Sequence, residues 1–158
     1  MTAVLQRVVS ASVTVDGNIV GKCGKGLLIL AGFADGDSET DLRTVAKKAA
    51  ELRIFPDERG KMSRSVIDIG GQILAVPNFT LAASCRHGRR PDFTKSLAPD
   101  IARSYFSMFA EELRALGVHT ECGEFGADMT VDMSGDGPVT IILDSEALGV
   151  RHAESAEK

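Results

Sequence analysis

Residues 24–33 read GKGLLILAGF, and the fold turns on how they are read. Residues 27–31 are an unbroken apolar run set between glycines. The run is short and far below the roughly 20 residues that span a bilayer, so it predicts a buried strand rather than a membrane helix. Working forward from it, Ser38 and Asp41 are spaced as a helix start, and Leu42, Val45, Ala46, Ala49 and Leu52 recur at helical intervals. Working backward, residues 2–15 alternate around Val4, Gln6, Val8, Val13 and Val15. The Asp16-Gly17 pair then supplies a tight turn before Ile19 and Val20, which predicts an opening β-hairpin.

The remainder is read the same way. PDERGK and DIGG are turn punctuators, and QILAVPNFTL, residues 72–81, predicts another strand in which Pro77 demands an edge, an end or a bulge. Pro99 and Asp100 suit the first turn of a second helix. Its predicted core stripe is Ile101, Tyr105, Met108, Phe109, Leu113 and Leu116, closed by Gly117. VHTECGEF, ADMTVDM and VTIILDS predict three further strands separated by glycine turns. Hairpin-linked strands with two separate helices indicate a single α+β domain with a largely antiparallel sheet, over residues 1–147, followed by a polar, frayed tail at 148–158.

Composition narrows the function classes. The 158 residues are 44% hydrophobic and 25% charged, near the globular average, which argues against disorder and against a membrane class. The N-terminus carries Arg7 inside its apolar stretch and alternates, unlike a signal peptide, so a cytoplasmic location is expected. Cys23, Cys85 and Cys122 form no CxxC pair, and His87, His119 and His152 are scattered, so neither a disulfide framework nor a metal site is expected. The formal net charge of −4 disfavours non-specific nucleic-acid binding by the whole surface but leaves a local basic face open.

That local face exists in VPNFTLAASCRHGRRPDF, residues 76–93. Arg86, His87, Arg89 and Arg90, with Lys95 just beyond, offer guanidinium forks to phosphate oxygens, or form a solvated loop. Thr80 is a candidate nucleophile with no spaced base to activate it, and it reads first as a strand residue. Cys85 lies beside cations that favour a thiolate. In SGDGPVT, residues 134–140, a plain tight turn and a cis Gly137-Pro138 bond both fit. From the residues alone the chain is an α+β domain with a candidate phosphate-binding loop and no assigned reaction.

Seven segments then coincide. AVLQRVVSASVTVDG, GKGLLILAGF, LRIFPDERGKMSRSV, FTLAA, GRRPDF, EFGADM and DGPVTIILDS occur in the order and spacing of the D-aminoacyl-tRNA deacylase family, which residues 1–146 resemble. The resemblance implies a partial barrel with two main helices and a homodimeric hydrolase of ester bonds that needs no metal and no cofactor. Such an enzyme frees tRNA from mischarged D-amino acids, and from glycine on tRNA-Ala, as chiral proofreading in translation quality control. The partner implied is the aminoacylated acceptor end of tRNA, with no membrane.

Residue by residue, the resemblance places Pro77, Asn78, Phe79 and Thr80 in the catalytic motif, with the Phe79 and Thr80 backbone N–H groups as oxyanion donors and Thr80 as a wall. Gly137 and Pro138 become a cross-subunit motif whose carbonyls take the substrate ammonium and exclude an L side chain, and Arg7 supports that motif. Phe125, Ala127 and Met129 join the substrate pocket, while Arg86, His87, Arg89 and Arg90 meet tRNA. Two positions depart from the family's usual Ser-Gln-Phe-Thr: Pro77 lacks both hydroxyl and N–H, and Asn78 is one methylene shorter than Gln. Gly135 also replaces a common Asn. The departures leave two alternative readings, a relaxed deacylase acting on L-aminoacyl-tRNA such as L-Ala on tRNA-Thr, and a catalytically silent nucleic-acid-binding paralogue. Retention of Phe79 and Arg7 favours D-selectivity.

Overall fold

The computed structural model describes residues 1–152. Strand β1 (Thr2–Val15) and β2 (Asn18–Cys23) form the opening hairpin. Its turn places Asp16 at φ 48° and Gly17 at φ 79°, the two positive values that a tight hairpin matched to strand twist requires. β3 (Gly26–Gly32) runs antiparallel to β1. Helix α1 (Glu39–Glu51) follows, and at its start Asp41 Oδ2 accepts from both the N–H and the hydroxyl of Ser38 at 2.8 Å. Leu42, Val45, Ala46 and Ala49 are buried as their spacing predicts. A small ribbon of β4 (Phe55–Pro56) and β5 (Met62–Arg64) leads to β6 (Gln72–Pro77), α2 (Pro99–Ala115), β7 (His119–Cys122) and β8 (Thr130–Asp144).

The main sheet has the order β2-β1-β3-β6-β7, with β8 also paired to β1. β1 pairs antiparallel with β2, β3 and β8, but β3–β6 and β6–β7 are parallel, so the sheet is more mixed than the sequence predicts. The helices explain the difference: α1 lies between β3 and β6, and α2 between β6 and β7, and each serves as the crossover that parallel neighbours need. The sheet curls until its edges nearly meet. A Cβ on Gly21 of β2 would lie 2.4 Å from the Cys122 carbonyl oxygen of β7, so only glycine allows that approach. The Lys22 N–H donates to Glu121 Oε2 at 2.8 Å across the same gap.

Curling gives the sheet two buried faces. Val8, Val13, Leu28, Leu74 and Val76 fill the inside, whereas Leu5, Leu27, Ile29 and Ile73 face outward against Leu42, Val45, Phe109 and Leu113 of the helices. Successive residues of β3 therefore enter different cores, which is why residues 27–31 show no alternation. Each such buried Leu or Ile contributes about 1.5–3 kcal/mol relative to exposure.

Four other expectations are corrected. ADMTVDM and VTIILDS are not separate strands: from Thr130 onward β8 is continuous, and the glycine-rich stretch is a bulge within it. Residues 72–81 are not one strand, because β6 stops at Pro77 and a single 3-10 turn follows at Phe79–Ala82. Along α2 the fully buried residues are Ala102, Phe106, Phe109, Ala110 and Leu113; of the predicted stripe, Tyr105, Met108 and Leu116 also pack on the core, and it is Ile101 that departs, at 44% exposure. Small alanines let that face approach its neighbours closely, a signal hidden when only large residues are counted.

The fourth correction concerns the expected tail. Leu148 packs on the helix-side core, and His152 Nδ1 lies 2.7 Å from the Gly36 carbonyl, with Nε2 2.9 Å from buried Asp41 Oδ1. Residues 153–158, the rest of the predicted tail, lie outside the described residues. Among the described residues, no helix is long and apolar enough to cross a membrane.

Candidate active site

Pro77 ends β6 opposite Ala31, and the next N–H, of Asn78, still donates to the Ala31 carbonyl at 2.8 Å. Proline has no N–H to extend a ladder, so the chain turns here. Asn78 caps the turn: its Oδ1 accepts from the Thr80 N–H at 3.2 Å and the Thr80 hydroxyl at 2.5 Å. Two consequences follow for the predicted roles. The Thr80 hydroxyl is paired with an amide oxygen, which cannot take its proton, so nothing in this pairing activates it as a nucleophile. Of the two expected oxyanion donors, the Thr80 N–H is engaged by Asn78. The Phe79 N–H, first in the turn, has no acceptor within it. Phe79 itself is 57% exposed.

Gly32, the glycine that closes the apolar run of β3, makes this placement possible. A Cβ there would meet the Asn78 carbonyl oxygen at 2.7 Å and Leu81 Cβ at 2.8 Å, so the capped turn lies directly on the end of β3. The visible signal was a glycine closing an otherwise bulky apolar strand. Beside the turn opens a pocket of about 410 Å³ lined by Gln6, Leu30, Val76, Pro77, Asn78 and Met129, among others. It is the mouth of the barrel interior. Its lining is mostly apolar, suiting an amino-acid side chain or a base.

Phe125, Ala127 and Met129 belong to one short segment after β7. The Ala127 N–H donates to the Glu124 carbonyl at 3.3 Å, and Gly126 takes φ 84° to complete the turn. Met129 reaches the pocket, and a Cβ on Gly123 would come within 2.9 Å of Met129 Sδ and 3.5 Å of Pro77 Cδ. The segment and the Pro77–Thr80 turn are thus neighbours.

Gly137 and Pro138 lie elsewhere. Gln6 of β1 pairs with Thr140 and Val8 with Gly135, so the single residue Arg7 faces Asp136, Gly137, Pro138 and Val139, which bulge from β8. The Gly137-Pro138 bond is cis. Arg7 is almost buried, at 11% side-chain exposure, and holds the bulge from behind. Its Nε donates to the Asp136 carbonyl at 3.1 Å and lies 3.2 Å from the Asp136 carboxylate, while Nη1 donates to the Ile54 carbonyl at 2.7 Å. Both Gly137 and Pro138 are exposed, and neither lines the pocket beside Pro77.

The basic residues Arg86, His87, Arg89 and Arg90 are exposed on a loop whose neck is closed by Ser84 and Asp92, each donating its N–H to the other's carbonyl at 2.8 and 2.9 Å. Phe93, just past that neck, meets Phe79 edge-to-face with ring centroids 5.2 Å apart, and the Ser96 hydroxyl donates to the Phe79 carbonyl at 3.3 Å. The loop therefore leaves the candidate site and returns to it.

Asp37, Asp41 and His152 bring potential metal-ligand atoms within 4.8 Å of one another, a grouping the scattered sequence positions concealed. Their hydrogen bonds fit a clip better than a metal centre. Asp37 accepts from the Ala34 N–H at 2.7 Å and pairs with the Met1 ammonium, which also donates to the Ser145 hydroxyl at 2.8 Å. Asp41 faces Ser38 and His152. Burial pushes the Asp41 carboxyl up, but hydrogen bonds from Ser145 and Ser38 and the charge of His152 carry it below its ordinary value. The Gly36 carbonyl first, then Asp41, Asp37 and Glu146, hold the His152 imidazole above its ordinary value, against the opposing effect of burial. Burial also pushes the Cys23 and Cys122 thiols up, away from thiolate chemistry.

Comparison with known proteins places these features in a family. The chain is 52% identical to a D-aminoacyl-tRNA deacylase of Roseiflexus castenholzii over 145 residues, which cover 92% of each chain. It is 51% identical to a D-aminoacyl-tRNA deacylase of Bacillus thuringiensis over 146 residues, covering 92% of this chain and all of the relative. A solved structure described as the c-Myc DNA Unwinding Element Binding Protein superposes with a TM-score of 0.86 at 39% identity, covering 91% of this chain and 98% of that one. Residues 4–144 match the family model described as D-Tyr-tRNA(Tyr) deacylase, and the chain belongs to that family.

Proposed function

We propose that this protein hydrolyses the ester of mischarged D-aminoacyl-tRNA, releasing the free amino acid and tRNA. The observation that carries the reading is the family match across residues 4–144, which takes in the Pro77–Thr80 motif, the Phe125–Met129 segment and the Arg7-held bulge. An aminoacyl ester is already activated, so the enzyme's work is orientation and stabilisation of the oxyanion. The Phe79 N–H is the available donor, and the Thr80 N–H becomes a second when the substrate carbonyl displaces Asn78 Oδ1. The attacking water is assisted by the ribose 2′-OH next to the ester, so no protein base is needed. Thr80 serves as a wall, consistent with its hydroxyl being paired to Asn78.

Chiral selection falls to Gly137 and Pro138. Their carbonyls accept from the substrate ammonium, and their close approach leaves no room for an L side chain. Because neither residue lines its own chain's pocket, the motif acts on the pocket of a second copy, in a homodimer. Exposed Val131 and Met133, at the rim of the pocket, give that partner an apolar surface to cover. Glycine, having no side chain, passes the same filter, so glycyl-tRNA-Ala is a second substrate. The basic loop meets the phosphates of the acceptor end.

Purified protein incubated with D-tyrosyl-tRNA should release tyrosine catalytically. No release, with binding that weakens as salt rises, would favour instead a nucleic-acid-binding role, a reading supported by the exposed loop and by the similarity to the c-Myc DNA Unwinding Element Binding Protein. Replacing Arg89 and Arg90 by Ala separates binding from chemistry: tRNA affinity should fall and the salt slope flatten by about 1.5, with the dimer intact.

A further inference from the structure

Arg103, on the second turn of α2, has no place in the motifs that mark the family resemblance. Its guanidinium carbon lies 4.8 Å from the centroid of the Phe125 ring, and its Nη2 would be 3.6 Å from a Cβ on Gly126. It makes no salt bridge among the described residues, although Glu111 shares the groove of about 380 Å³ between α2 and this segment. The other arginine there, Arg114, is engaged elsewhere: its Nε donates to the Thr120 carbonyl at 3.0 Å and its Nη2 lies 3.5 Å from Cys122 Sγ. Arg103 instead lies over the Phe125 ring, which also packs against the helix-side core.

The contacts connect in sequence. Arg103 covers Phe125; the turn around Gly126 joins Phe125 to Met129; Met129 lines the pocket with Pro77 and Asn78. The Glu124–Ala127 hydrogen bond, at 3.3 Å, is long, so the turn depends on an outside contact for its orientation. A planar cation over an aromatic face supplies one that tolerates solvent, and adds to the core packing that holds the ring.

We infer that Arg103 is a positioning residue for the substrate pocket, acting through Phe125 to fix the Met129 wall beside Pro77 and Asn78. This rests on the deacylase reading for its kinetic consequence but not for its structural one. Arg103→Ala should raise KM for D-tyrosyl-tRNA about two- to fivefold with kcat unchanged, and Arg103→Lys should recover most of the loss because it keeps the cation over the ring. In the free protein, the methyl resonance of Met129 should move in Arg103→Ala while that of Met62, on β5, stays. A second Phe125→Leu substitution should add nothing to Arg103→Ala.

An unmoved Met129 resonance overturns the inference, as does an unchanged KM in an active enzyme or full additivity with Phe125→Leu. A wild-type protein inactive on every charged tRNA overturns the deacylase reading instead. The Met129 resonance then decides the positioning role by itself.

Discussion

Two proline-bearing segments bracket the proposed chemistry, and they are stabilised in opposite ways. The turn after Pro77 is closed locally, by Asn78 reaching two residues along to the N–H and hydroxyl of Thr80. The bulge at Gly137-Pro138 is held from far away in the chain, by Arg7 on β1, which also ties to Ile54 beyond α1. The difference teaches where each is vulnerable. The local turn should survive loss of one side-chain group with a modest change. The side-chain anchor of the bulge is Arg7, and a shift there moves whatever the bulge carbonyls meet.

The comparison can be broken most severely at Gly137. Its φ is 139°, and an added Cβ would lie 2.6 Å from the Val139 nitrogen, so Gly137→Ala must displace the bulge backbone. A displacement of order 1 Å at a positioned group costs about a hundredfold, so kcat/KM for D-tyrosyl-tRNA should fall by that factor while the fold, followed by circular dichroism, persists. Retention of full activity would mean that the bulge does not meet substrate.

Arg7→Ala acts on the support rather than on the motif. It leaves the Asp136 and Ile54 carbonyls without their donor in a nearly buried site, which should lower unfolding free energy by about 2–3 kcal/mol and activity by roughly tenfold. Denaturant titration and initial rates check the two separately. A drop in stability without a drop in activity would separate the arginine from function.

The local turn offers the opposite test. Thr80→Val keeps the shape and removes the hydroxyl, so kcat should change by less than about fivefold if Thr80 is a wall. Loss of a true nucleophile would cost about 10⁴-fold or more. The same contrast explains what the sequence could and could not reveal. The opening hairpin and the start of α1 are written in adjacent residues, a turn pair and a capping pair, whereas the missing N–H of Pro77 demands a break without saying which kind. The continuity of β8 through a glycine-rich stretch is not, because it depends on β1 pairing on both sides of the bulge. Gly32 and Gly21 are likewise invisible until β3 meets the turn and β2 meets β7. The roles expected for Phe79, Gly137 and Arg7 came from resemblance, and composition alone carried none of them. Asn78 shows the middle case: its bond to Thr80 is local, yet the apolar pattern of residues 72–81 concealed it.

Outside both segments, the His152 clip should respond to pH. His152 faces Asp41, Asp37 and Glu146, with the Met1 ammonium beyond Asp37, and its folded value lies above the ordinary 6.5. A raised histidine stabilises fully below its unfolded value and loses that contribution as pH climbs through its folded one. Thermal stability of the wild type should therefore decline above about pH 6.5 relative to His152→Gln, with kcat unaffected. An identical pH profile for both proteins would remove the ion pair from the account.

The most direct test of the central claim is the ratio of kcat/KM for D-tyrosyl-tRNA to that for L-tyrosyl-tRNA, measured on the unaltered protein. Exclusion of the L side chain by the Gly137-Pro138 carbonyls predicts a ratio of about a hundred or more in favour of the D ester. Equal hydrolysis of the two esters would contradict it and point to the relaxed deacylase that Pro77 and Asn78 leave open.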